Sequence, residues 1–301
     1  MTKRSSAMCA TLAILVLAGA GCSKSATAPD QAKTVPAATQ QENAKAAPQP
    51  GQIAYDFPVQ AATTAKAGEY VLAVPRTWVD QSFENPTGAT FIYYAAKMVT
   101  PGTNESQVES LPGETMTIPN ALIIPLGSGA KANKGDIVLT WWQSGSGMNR
   151  AIVVGGTPTE PEVLYLDQEY NTADTAEKLM PNSFVKLTAA DQAGATIACK
   201  ASGETDFTRY QLVNSSSDRV LLLGWAGKMA AMKKSDCANV PLTPSAKAGD
   251  SVYFPSYGRF TLGTVTKVDS AIGRVTVKYQ FAGQDEEVMV PFGDVTSQFV
   301  R

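Results

Sequence analysis

Strand signals recur along most of the chain and constrain its fold more than any other feature. Short runs rich in Val, Ile, Thr and Tyr alternate with breaks made of Gly, Pro, Asn and Ser from about residue 52 onward. No convincing stretch has the periodicity of an amphipathic helix. Alternation is clearest at 273–279, where Val275, Val277 and Tyr279 are expected on one face of a strand. The sequence therefore predicts an all-β protein.

The strand pattern also repeats, with a coarse period of about 60 residues. Three segments share one opening, a turn with Lys and Gly, an acidic residue and then a strand: 66–72, 134–139 and 247–253. A short closing strand marked by Pro returns at four places: 118–126, 180–187, 240–242 and 290–295. Self-similarity of this kind predicts tandem structural units.

The order of strands and loops within each unit resembles the plan of five-stranded SH3-like barrels. The last unit resembles a Tudor or Agenet-type barrel in particular, through Gly249-Asp-Ser-Val-Tyr253, Gly263-Thr-Val-Thr-Lys-Val268 and the acidic residues 285–287 before Val290-Pro. The resemblance implies four tandem barrels, expected at 52–128, 132–190, 194–244 and 246–301. Two sandwiches, each made from two units, are the alternative all-β arrangement.

The first 21 residues have the features of a bacterial export signal. Lys3 and Arg4 precede an apolar stretch at 11–18 that is too short to span a bilayer. The segment Leu17-Ala-Gly-Ala-Gly-Cys22 resembles the lipobox of bacterial lipoproteins. That resemblance implies acylation of Cys22 and, because Ser23 follows it, sorting to the outer membrane facing the periplasm. The alternative is an ordinary signal peptide that is cleaved nearby, with Cys22 unmodified.

The segment at 22–51 is predicted to be a disordered tether after the lipidated cysteine. It consists mainly of Ala, Pro, Gln, Lys and Thr, with almost no branched apolar residues to bury. The whole chain has a formal net charge of −2, so it is not expected to bind anionic phospholipid by charge. The acyl chains on Cys22 are expected to supply the membrane attachment.

The four cysteines predict one disulfide. Cys9 lies in the predicted signal and Cys22 is assigned to acylation, which leaves Cys199 and Cys237. Two thiols in an oxidising envelope are expected to pair. Two buried free thiols are the alternative.

The complete absence of His excludes several chemistries at once. Ser-His-Asp and Cys-His catalysis, His-ligated metals and imidazole proton transfer all require it. The near-balance of 25 basic and 27 acidic residues argues against nucleic acid. Consecutive acids at 285–287 point in different directions, so no metal site is predicted there. We therefore expect no catalytic residues and no cofactor, with an enzyme based on Asp, Glu, Lys or Tyr as a remaining alternative.

Aromatic side chains are the best candidates for ligand binding, because the Tudor resemblance implies an aromatic cage with an acid nearby. Such a cage binds a cation through ring faces, or stacks on a sugar or peptide. The second unit offers Trp141, Trp142, Tyr165, Asp167 and Tyr170. The fourth unit offers Tyr253, Tyr257, Phe260, Tyr279, Phe281 and Asp285. The alternative is that these rings fill cores or pack one unit on the next.

These features predict a non-enzymatic envelope lipoprotein that presents SH3-like barrels to peptidoglycan or another envelope component. The ligand class rests on analogy with the fold. A protein-interaction scaffold or an assembly factor of an envelope complex is the alternative. Exposed cage aromatics would favour a small ligand or glycan, whereas a contiguous apolar patch would favour a protein partner. The oligomeric state does not follow from the sequence.

Overall fold

The computed structural model of the chain describes residues 48–169 and 174–299. The predicted signal at 1–21, Cys22, most of the predicted tether and Tyr170 lie outside these residues. The described part contains nineteen β-strands and one α-helix, which confirms the predicted all-β class. Within it, no helix is both long enough and apolar enough to cross a membrane.

The first group of strands forms one antiparallel sheet. Its strands and helix are β1 (Tyr70–Ala73), α1 (Arg76–Glu84), β2 (Tyr94–Thr100), β3 (Glu105–Ser110), β4 (Thr115–Pro119) and β5 (Ile124–Gly127). The spatial order is β4-β3-β2-β1-β5. Four consecutive strands thus form a meander, and the fifth returns to pair with the first.

The second group repeats this order in a separate sheet. Its strands are β6 (Ile137–Trp141), β7 (Met148–Thr157), β8 (Glu160–Tyr165), β9 (Glu177–Lys178) and β10 (Val185–Lys186). The order β10-β6-β7-β8-β9 again places the fifth strand beside the first.

The remaining nine strands share one sheet that divides into two groups. The third group contains β11 (Thr196–Cys199), β12 (Thr208–Ser215), β13 (Arg219–Leu223), β14 (Met229–Lys233) and β15 (Cys237–Asn239). The fourth contains β16 (Ser251–Ser256), β17 (Arg259–Asp269), β18 (Arg274–Phe281) and β19 (Gln284–Pro291). The single residue pair Thr208–Arg259 joins the two groups. An isolated bridge between Tyr253 and Thr296 takes the place of a fifth strand in the last group.

All four groups therefore share one topology, a four-stranded meander whose first strand also pairs with a returning segment. The described pairings do not connect the fourth strand of any group to its fifth. Closure into SH3-like barrels consequently stays a prediction, and so do the boundaries of the four units.

Alternation along each strand determines which side chains enter the core. On β18, Val275 and Val277 are buried and Tyr279 is half-buried on the same face, while Lys278 and Gln280 are exposed. The largest hydrophobic cluster draws buried residues from all four groups, for example Val71, Ile152, Leu221 and Val275. Within the described residues, the groups are thus packed into one body by a shared core.

Helix α1 differs from the sequence-based expectation that no helix is present. It begins directly after Pro75 and ends before Asn85, and it buries Val79 and Ser82. A helix of nine residues shows its apolar face only about twice, so its period does not stand out in the sequence.

The predicted disulfide between Cys199 and Cys237 is confirmed. The two residues lie directly opposite each other on β11 and β15, with their Cα atoms 4.0 Å apart. Both are buried in a small cluster with Leu212, Val220 and Leu222. The disulfide therefore joins the first and last strands of the third group inside that cluster.

Candidate functional site

Four aromatic side chains on the third and fourth groups form the candidate site, here called the exposed ring cluster: Trp225, Tyr257, Tyr279 and Phe281. The ring centroids of Tyr257 and Phe281 are 5.4 Å apart, and those of Tyr279 and Phe281 are 6.4 Å apart. Tyr257 is 79% exposed and Phe281 is 44% exposed. Tyr279 is half-buried and packs edge-on against the buried Phe254 at 5.0 Å. The cluster is therefore anchored at one end and open to solvent at the other.

Two tight turns position the tips of this cluster. Tyr257 and Gly258 connect β16 to β17, and Ala282 and Gly283 connect β18 to β19. All four residues have positive φ, at 48°, 80°, 50° and 81° in chain order. This is the backbone pattern of two-residue hairpin turns that match the twist of their strands. An aromatic residue disfavours positive φ, so backbone preference does not explain Tyr257.

Trp225 extends the cluster from the neighbouring strand group. It begins the short 3-10 helix Trp225–Gly227 and is 75% exposed. A Cβ atom added to Gly258 would lie 3.6 Å from the Cβ of Trp225, so the indole emerges beside the turn that carries Tyr257. The third and fourth groups thus contribute to one surface.

The acid beside the cluster is Glu286 rather than Asp285. Glu286 lies directly opposite Tyr279 in the β18–β19 ladder, so both side chains are on the same face of the hairpin. Asp285 instead forms an ion pair with Lys278 at 2.6 Å and accepts a hydrogen bond from Gln280. Sequence alone could not distinguish the two acids without the register of this hairpin.

Tyr253 and Phe260, also predicted for the cage of the fourth unit, lie elsewhere. Both rings contact Phe299, at 4.9 Å and 5.3 Å between centroids. Phe299 stacks in turn on Phe207 of the third group at 4.0 Å. These rings, of which Phe260 is buried and the other three are partly buried, pack the third group on the fourth, as in the alternative interpretation of the aromatics.

The predicted aromatics of the second unit lie mostly inside the protein. Trp141 is 4% exposed and packs on Tyr70 with 5.3 Å between centroids. Tyr165 is buried and donates a hydrogen bond to Glu177 at 3.1 Å, and burial raises its pKa. The indole of the half-buried Trp142 donates to the same carboxylate at 3.2 Å. Glu177 thus holds two of these rings together, while Tyr170 lies outside the described residues.

Asp167, the predicted acid of the second unit, belongs to a buried ionic network instead. Arg150 donates from Nη2 to Asp167 at 2.6 Å and to Asp294 at 3.0 Å. Arg209 donates to Asp167 at 3.2 Å, and Gln211 donates to the same carboxylate at 3.0 Å. Burial opposes ionisation of Asp167, but the charges and hydrogen bonds of Arg150 and Arg209 outweigh it and lower its pKa to about 2.

This ionic network connects three of the four strand groups. Arg150 lies on β7, Arg209 on β12, and Asp294 follows β19. Gly293 makes the close approach possible, because a Cβ atom there would lie 2.4 Å from Nη1 of Arg150. The network was not predicted from the sequence; its one local signal is Arg150, a charged residue directly before the apolar run 151–154 of β7.

A second concave feature, here called the α1 cleft, lies between the first strand group and the loop 143–147. Its volume is about 470 Å³. The residues that characterise it are Arg76, Tyr94, Leu111, Glu114, Met116 and Trp141. Of these six residues, Trp141 alone was predicted from the sequence to bind a ligand.

Among residues 48–169 and 174–299, no three Cys, Asp or Glu side chains lie close enough together to hold a metal ion. Comparison with known proteins finds no matching family model and no matching curated protein. The class of the protein thus rests on its own structure: it is an all-β protein with a cluster of aromatic side chains open to solvent.

Proposed function

We propose that this protein is a non-enzymatic, membrane-anchored envelope lipoprotein that binds peptidoglycan through tandem SH3-like barrels. The exposed ring cluster is the observation that supports peptidoglycan binding. Its four rings come from a short 3-10 helix, one hairpin turn and strand β18, yet they lie on one surface. The attachment part is supported by the export signal at 1–21 and by the lipobox that ends at Cys22.

The exposed rings contribute little to folding, which is the reason to assign them to binding. Burial of a large apolar side chain stabilises a protein by about 1.5–3 kcal/mol, and most of that is lost when the ring stays in water. Trp225 and Tyr257 are both more than 70% exposed. Clustered exposed rings offer flat apolar faces on which the C–H face of a sugar can stack.

A glycan fits this surface better than a protein partner does. Other large apolar side chains with substantial exposure are spread over separate loops and strands: Val59, Ile92, Val99, Leu111, Met180, Leu262 and Met289. A protein-interaction scaffold needs a contiguous apolar patch with buried anchor residues. The distribution therefore favours the glycan over the scaffold alternative.

Co-sedimentation with purified cell-wall sacculi tests this proposal. The chain without residues 1–22 should sediment saturably with sacculi, and Trp225→Ala and Phe281→Ala should each reduce the bound fraction at least fivefold, about 1 kcal/mol. Met180→Ala is the matched control, since Met180 is 41% exposed between β9 and β10 of the second group, away from the cluster. Sedimentation no greater than that of an unrelated acidic protein would overturn the peptidoglycan proposal, and unchanged binding of both variants would exclude the exposed ring cluster as the site.

A further inference from the structure

The α1 cleft has the size and shape of a small-molecule site. Its lining includes Ala95 and Ala96 of β2, consecutive strand residues of which one directs its small side chain to each face of the sheet. Its sides come from the start of α1, the turn 110–112 and the loop 143–147. A volume of about 470 Å³ lies within the usual range for ligand pockets, about 300–1,000 Å³.

Two aromatic side chains line the cleft and are supported from other elements. The ring of Tyr94 packs against Trp78 of α1 with 5.9 Å between centroids. The ring of Trp141 packs against Tyr70 of β1 at 5.3 Å. Rings held in this way need little ordering when a ligand binds, so they form a preorganised apolar surface.

The charges at the cleft favour a cation. Arg76 lies at its edge, but its guanidinium is already bound by Asp80 at 2.9 Å and Glu105 at 3.5 Å, and it donates to the carbonyl of Thr117 at 3.2 Å. Glu114 adds a further exposed carboxylate to the lining. Asp80 and Glu105 thus neutralise Arg76, and the carboxylate of Glu114 leaves the cleft with excess negative charge, which repels anions and attracts cations.

We propose that the α1 cleft binds a small molecule that combines an apolar ring with a protonated amine. The ring is expected to contact Tyr94 and Trp141, and the amine to lie near Glu114. This site is on the first and second strand groups, whereas the exposed ring cluster is on the third and fourth. The two proposals therefore stand independently.

Three naphthalene dyes that differ in charge test the proposal by fluorescence titration of the chain without residues 1–22. The cationic dye is dansylcadaverine, the neutral dye N-phenyl-1-naphthylamine and the anionic dye 1-anilinonaphthalene-8-sulfonate. We expect one saturable site, with affinity in the order cationic, neutral, anionic, and about tenfold or more between the first and the last. Absence of saturable binding, or preference for the anionic dye, would overturn the proposal.

Two pairs of variants locate the site. Thr77→Trp fills the cleft from its edge and should weaken the cationic and neutral dyes by about tenfold or more, whereas Thr115→Trp, outside the lining, should leave both unchanged. Glu114→Gln should weaken the cationic dye alone by about threefold, with Glu109→Gln as its control. Near-ultraviolet circular dichroism checks that each variant is folded. Equal dye binding by Thr77→Trp and Thr115→Trp in folded protein would place the site elsewhere and overturn the assignment.

Discussion

At the scale of single residues, Arg150 is the most constrained side chain. Its side chain is fully buried, and its charge is balanced by Asp167 and Asp294. Removal of a charge from water costs several kcal/mol unless partners with good geometry compensate. The two carboxylates therefore offset the free-energy cost of burying the Arg150 charge. They do not add stability to a core that would be stable without them.

Asp167→Asn is expected to destabilise the protein by about 3–5 kcal/mol, because it leaves Arg150 and Arg209 with Asp294 as their one remaining shared carboxylate. Urea unfolding followed by tryptophan fluorescence measures this change. Asp285→Asn is the control, since its ion pair with Lys278 is half-exposed and should contribute less than about 1 kcal/mol. A loss below 1 kcal/mol for Asp167→Asn would contradict the role assigned to the network.

The lowered pKa of Asp167 also predicts a pH dependence of stability. The pKa is about 2 in the folded protein and 3.8 for the unperturbed group, so the unfolded chain takes up the proton first. Its contribution of about 2 kcal/mol is complete above about pH 5 and is lost as the pH falls through the unfolded pKa toward the folded pKa of about 2. Urea midpoints measured across this range should fall, and the fall should be smaller in Asp167→Asn. A parallel fall in both proteins would assign the effect to other carboxylates.

At the scale of elements, substitutions in the two hairpin turns of the fourth group can distinguish an effect on folding stability from an effect on ligand binding. Tyr257 and Ala282 occupy the same turn position with φ of 48° and 50°. Asn tolerates this conformation better than either residue does. Tyr257 therefore keeps an aromatic side chain at a position where the backbone favours a different residue.

Tyr257→Asn is expected to raise stability by about 0.5–1 kcal/mol and to weaken binding to sacculi at the same time. Ala282→Asn, at the equivalent turn position, should give the same stabilisation and leave binding unchanged. Thermal unfolding and co-sedimentation of both variants provide the comparison. Destabilisation by Tyr257→Asn would show that the ring has a structural role, contrary to its assignment as a binding residue.

At the scale of the whole molecule, strand groups that are separate in sequence share buried structure. The main hydrophobic cluster extends through all four groups, and Arg150 contacts Asp294 across 144 residues of chain. The shared core and the ionic network indicate that the strand groups, and the surfaces they carry, hold fixed positions relative to one another. The exposed ring cluster depends on this arrangement, because Trp225 and Tyr257 come from different groups.

The proposed attachment of this protein to the membrane through Cys22 can be tested in cells. The full chain should incorporate labelled palmitate and sediment with membranes, whereas Cys22→Ser should do neither. Cys9→Ser is the matched control, because Cys9 lies inside the predicted signal and should not affect labelling. Labelling of Cys22→Ser at the normal level would contradict the lipobox assignment.

Patterns local in sequence predicted the all-β class, the alternation on β18 and the disulfide between Cys199 and Cys237. Each depends on short-range information: a strand period of two residues, turn residues, or the small number of cysteines available. The same local information missed α1, because nine residues show too little of the helical period.

The tertiary structure alone decided the role of each candidate side chain. Alternation assigns a ring to a face of a strand, but the packing of another strand group determines whether that face is covered. Tyr253 and Phe260 are covered by Phe299, whereas Tyr257 and Phe281 stay open to solvent. Asp167 likewise became part of the ionic network because Arg150 and Arg209 bind it, Arg209 from a distant segment. The sequence by itself therefore determined the all-β class and the disulfide, and long-range packing determined which aromatic and acidic side chains are available for binding.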